Sequence, residues 1–194
     1  MNPKISGVFI CTIVVATFIT GAVAYPLVHS VRLAFGLPIT LVILWGLWAL
    51  LPAIDPIAKG FPGFRYVYDF FWILLSAVLA YAYALSLGAA LGWPVNIFHA
   101  VLPAVAMLVF VAAILLPQIH RNWFFGIRTP WTLSSDDVWM KTHQFGRPLF
   151  IIVAVLIYIS TFVSRTWSIG IVSGSILLAT IGIVAYSYFI FRRH

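Results

Sequence analysis

The chain has 194 residues, 63% of them hydrophobic and only 8% charged, with a formal net charge of +7. Soluble domains carry roughly 25% charged residues, so there are too few here to coat a water-facing surface, and the mean hydropathy of +1.10 points to an integral membrane protein. The single cysteine, Cys11, excludes an intrachain disulfide and a multi-cysteine zinc site.

Six apolar segments are long enough to cross a hydrocarbon core of about 30 Å at 1.5 Å per residue: 5–28, 37–54, 68–92, 97–118, 148–164 and 168–191. Lipid requires backbone groups to be satisfied within each segment, which predicts helices. The first run, with Lys4 and "AVA" at Ala22–Ala24, has the look of a secretory signal, but its apolar length favours a retained helix. Breaks are expected at Pro38, from Pro56 to Pro62, at "GWP" (Gly92–Pro94) and at Pro148. The expectation is one membrane domain over 1–194, an all-α polytopic bundle of six spans. Gly88–Gly92 and Gly170–Gly174 have the spacing that lets helix backbones approach. Packing within the chain is the first reading for both, and a homo-oligomer seam through Gly170 and Gly174 the second.

Orientation follows from Lys and Arg. Lys4, Lys59, Arg65, Arg121, Arg128, Lys141, Arg147, Arg192 and Arg193 fall at one side of the predicted topology, and only Arg32 and Arg165 at the other. This bias places both termini in the cytoplasm. The basic residues form no single stripe, so membrane lipids rather than nucleic acid are the expected partners.

Charge gathers in one place: six of the charged side chains lie between Arg121 and Arg147. "LSSDDVW" signals a helix start, with Ser134 as cap and Asp137 three residues on. A short interfacial amphipathic helix is predicted over 135–146, kinked near Gly146–Pro148 into the fifth span. Within it Asp137 and Lys141 are spaced for an ion pair, and Trp139 and His143 share a face. The other loop on this side, Leu51–Asp69, brings Asp55 and Asp69, and an ion pair from one of them to Arg128 is expected to clamp the two loops together. The residues expected to carry function are Arg128 as an anion or carboxylate anchor, Trp131 and Trp139 as aromatic contacts, Asn122 and His143 as orienting groups, and Asp55 as counter-charge.

The histidines and acids lack tight metal-ligand spacing, and no nucleophile–base pair is evident, so neither a metal nor a cofactor is expected. Arg121, Arg128, Lys141 and Arg147 near the headgroups leave open an enzyme or binder of lipid phosphates. The middles of the spans hold no ionisable residue, which makes a small transporter the weaker alternative.

The run Asn122, Gly126, Ile127, Arg128, Thr129, Pro130, Trp131, Thr132, Leu133, followed by Trp139, Thr142 and His143, resembles the signature of the SdpI family. These are multi-span membrane proteins named after a bacterial immunity protein against the sporulation-delaying toxin. "LPAIDP" before the third span is similar to the segment that precedes that signature, and the likeness is clearest over 51–163. The first outer loop is shorter here than in many relatives, retaining only "YPLVHSVRLAFGLP". The resemblance implies a cell-membrane protein that protects against a secreted, membrane-active peptide toxin and signals by holding a cytoplasmic repressor protein at the membrane.

Overall fold

The computed structural model describes residues 3–193. Its helices are α1 (Pro3–Val28), α2 (Val31–Ile54), α3 (Arg65–Ala90), α4 (Ile97–Leu115) with a 3-10 turn at Leu116–Gln118, α5 (Pro130–Ser134), α6 (Asp136–Ser160) and α7 (Arg165–Phe191). All but α5 are long and apolar enough to cross a membrane. The protein is an all-helical, multi-pass membrane protein.

The helices form two groups. α1, α2 and α3 pack on one another, α4 packs on α6 and α6 on α7, and α3 against α4 joins the groups. Successive long helices run in opposite directions. The 55–64 and 119–135 loops therefore share one end of the bundle with the start of α1 and the finish of α7, and the short turns lie at the other end. There His99 Nε2 lies 3.0 Å from the Val163 carbonyl and the Arg165 guanidinium lies over the Phe98 ring.

Two expected breaks are continuous helix. α2 starts at Val31, capped by Ser30, and runs through Pro38 and Pro52. A proline inside a helix deprives the carbonyl four residues earlier of its partner. For Pro38 that carbonyl is Ala34, and it accepts from the Tyr83 hydroxyl at 2.5 Å; for Pro52 it is Trp48, and it accepts from Tyr68 at 3.0 Å. Both tyrosines are buried on α3. The α2–α3 seam thus supplies from a neighbouring helix what each proline removes, as apolar surroundings demand. Gly21 lets α1 join this seam, because a Cβ there would stand 2.2 Å from the Ala34 oxygen.

The helix expected over 135–146 is not separate. It forms the first turns of α6, which continues through Pro148 to Ser160. One buried face runs past the proline, with Trp139, His143 and Gly146 before it and Val153, Ala154 and Ile157 after, and packing on both sides holds the helix straight through. Arg147 therefore projects from a helix, not from a loop. The cap is Ser135, accepting from the Val138 N–H, while Ser134 donates to the Trp131 carbonyl.

The glycine pairs do not bring helices together within the chain. Gly88 lies under the Trp93 ring and Gly92 turns the chain at φ +91°. Gly170 and Gly174 face open space, so α7 offers that strip to no other helix of the chain.

Candidate functional site

The chain between α4 and α6 has little regular structure, so its backbone groups need other partners. Asn122, fully buried, supplies four. Its Nδ2 donates to the His120 and Phe125 carbonyls, both at 2.8 Å, and its Oδ1 accepts the Phe124 and Phe125 N–H groups. An asparagine side chain offers both donors and acceptors, and here both ends are engaged in closing a turn.

Asp55 does comparable work from the neighbouring loop. Its Oδ1 accepts the Ile57 and Ala58 N–H groups, capping the end of α2, while Oδ2 accepts the Trp123 N–H at 2.7 Å. The two loops are clamped, but by a carboxylate on a backbone amide and not by the expected ion pair to Arg128. Asp69 is committed elsewhere, to Arg65, Trp48 Nε1 and Ser6, where it ties α1 and α2 to the start of α3. Beside the clamp, the His120 ring lies so close to Gly63 that a Cβ there would stand 2.0 Å from Nδ1.

His143 fixes the next segment. Its Nε2 accepts the Ile127 N–H at 3.0 Å, and Nδ1 lies 2.8 Å from the Trp139 carbonyl. A ring nitrogen that accepts from an amide carries no proton, so the neutral tautomer with a proton on Nδ1 fits both contacts. The ring stacks on Trp139, centroids 4.2 Å apart, and Trp139 Nε1 donates to the Ile119 carbonyl at 2.7 Å. Gly126 fits against this pair. At φ +107° it takes a backbone that L side chains avoid, and a Cβ would lie 2.5 Å from His143 Nε2.

Residues 129–134 follow a signal that sequence reading passed over. Thr129 and Thr132 cap each other across Pro130, giving the five-residue α5 a capping box with proline at its first position. Trp131, carried on α5, donates from Nε1 to Ser187 Oγ at 2.6 Å and meets Tyr188 edge-on, which fastens the loop to α7.

The charges sort into two kinds. Arg121 pairs with Asp136 at 2.6 Å and also donates to the Leu133 carbonyl; Lys141 pairs with Asp137 at 2.8 Å, with the spacing expected. Arg128 is exposed and makes one hydrogen bond, Nη1 to the Trp123 carbonyl at 3.0 Å. Among the described residues no acid pairs with it. Of the six side chains singled out from sequence, Asn122, Asp55, Trp139 and His143 are buried in the scaffold, Trp131 is half-buried, and Arg128 alone presents free donors at the surface.

The stretch of chain that holds this turn also matches known proteins. Residues 118–187 match the SdpI/YfhL protein family. Over that stretch the chain is similar to this family. The chain is also similar to "Immunity protein SdpI" of Bacillus subtilis (strain 168), 26% identical over 117 residues, covering 60% of this chain and 56% of that protein. The chain thus spans little more than half of that relative's length. No solved structure matches. The family match starts at Gln118, after the end of α4, and so takes in the whole Asn122–His143 scaffold together with α7 as far as Ser187, to which Trp131 ties it. Among the described residues no group of three or more His, Cys, Asp or Glu is placed to hold a metal ion.

Proposed function

We propose that the chain is an immunity protein of the cell membrane, protecting against a secreted, membrane-active peptide toxin. The observation that carries this is the match over 117 residues to a protein named an immunity protein. The geometry supports a role for one end of the bundle. A loop whose backbone is held this completely by buried side chains is rigid, and rigid loops position surface groups. The group positioned here is Arg128. The same end carries nine of the eleven Lys and Arg residues, which supports a cytoplasmic setting for it and, with it, signalling to a cytoplasmic repressor protein.

Survival of a sensitive bacterium under a sporulation-delaying-type peptide toxin tests the reading. Cells would make the parent protein, an Arg128→Ala/Trp131→Ala variant at matched membrane levels, or neither. Protection by the parent alone places immunity at the Arg128 face. Protection by both places it in the spans or the opposite turns, and protection by neither overturns the reading for that toxin.

A further inference from the structure

The four acids of this chain are all engaged. Asp69, Asp136 and Asp137 pair with Arg65, Arg121 and Lys141, and Asp55 accepts three backbone amides. Among the described residues, therefore, no acid serves as counter-charge to Arg128. A guanidinium has five N–H donors, and Arg128 gives one to the Trp123 carbonyl. That bond holds the guanidinium to the start of the turn formed by residues 123–127, and four donors with a full positive charge remain.

The same turn also borders an apolar space. Phe125, Gly126 and Ile127 roof a cavity of about 190 Å³ whose walls are Phe71 on α3, Ala112 and Leu115 on α4, and Phe150 on α6. A dry cavity of about 150 Å³ holds a benzene-sized guest, so this slot has room for a short run of methylenes. Its lining offers a phosphate almost nothing. The slot lies among membrane-spanning helices, immediately inside the end of the bundle that carries Arg128.

We propose that this turn binds an anionic phospholipid, its phosphate on Arg128 and part of one acyl chain in the slot beneath Gly126 and Ile127. The charge and the slot argue for this ligand together. Arginine's planar fork matches a phosphate through paired hydrogen bonds, and the slot takes hydrocarbon. A free phosphate would use only the first feature. A zwitterionic lipid brings its own ammonium to compete for the phosphate, so an anionic headgroup is preferred. The site does not depend on the immunity reading, because its test contains no toxin.

The full chain would be reconstituted with equal phosphatidylglycerol and phosphatidylcholine, washed in detergent, and its retained lipid measured by mass spectrometry. Phosphatidylglycerol should be retained over phosphatidylcholine. Arg128→Gln should lower that retention about tenfold, the scale of one charged hydrogen-bonded contact. Arg193→Gln, an equal loss of charge at the same end, should leave it unchanged, with circular dichroism confirming parental helix content in both. The deacylated headgroup, which has the phosphate and no chain, should fail to displace the lipid. Equal losses in the two variants would reduce the binding to general attraction by a basic surface and overturn the proposal. Undiminished retention in Arg128→Gln, or displacement by the deacylated headgroup, would overturn it as well.

Discussion

The α2–α3 seam and the Asn122–His143 loop meet the same need from opposite directions. In the seam the backbone is helical and prolines have freed two carbonyls, so the neighbouring helix supplies donors, the hydroxyls of Tyr68 and Tyr83. In the loop the backbone is irregular, so the surroundings supply an amide, a carboxylate and an imidazole whose nitrogen and oxygen atoms hold peptide N–H and C=O groups. Water would satisfy such groups on a soluble protein. Next to lipid, side chains must do it, and this is why buried polar residues here are keyed to backbone more than to one another.

The comparison predicts unequal sensitivity. Asn122→Ala removes all four partners of one turn, and Asp55→Ala removes three while releasing the clamp between loops. At about 1–3 kcal/mol for each buried group left unsatisfied, both should lower the melting temperature in detergent more than any seam variant and open 119–129 to protease. Gly126→Ala comes next. A side chain forced to positive φ costs about 1–3 kcal/mol, and its Cβ would push His143 off the Ile127 amide. Tyr83→Phe should cost about 1–2 kcal/mol by leaving the Ala34 carbonyl unpaired. That loss should shrink in a Pro38→Ala background, where residue 38 regains the N–H that Ala34 accepts, and a double-mutant cycle measures the difference. If Tyr83→Phe costs the same in both backgrounds, the hydroxyl does not replace the proline's missing bond. The smallest effect belongs to Arg128→Gln, which should shift stability by less than about 0.5 kcal/mol while changing what the loop binds.

Much of the frame could be read from the sequence, since span length and apolarity depend only on neighbouring residues. The Asp137–Lys141 pair and the shared face of Trp139 and His143 were legible for the same reason: four-residue spacing on a helix is a local rule. What escaped depends on distant partners. Pro38 reads as a break unless Tyr83, 45 residues on, is known to stand beside the carbonyl it frees. Asp55 reads as the mate of Arg128 because charge suggests charge; the structure puts the Trp123 N–H there. Thr129 and Thr132 were within reach, since threonine before proline with a hydroxyl three residues later is a cap signal.

The Trp131–Ser187 bond has a mechanical consequence. α7 packs chiefly on α6, with a smaller contact to α5, and it is the least buried of the six long helices, so its tilt is the one most directly set by the surrounding bilayer. Helices respond to a thinner or thicker bilayer by tilting. The indole held to Ser187 ties α5, only a few residues from Arg128, to the position that α7 takes. The tryptophan of the loop thereby makes the placement of the charged turn depend on the placement of α7.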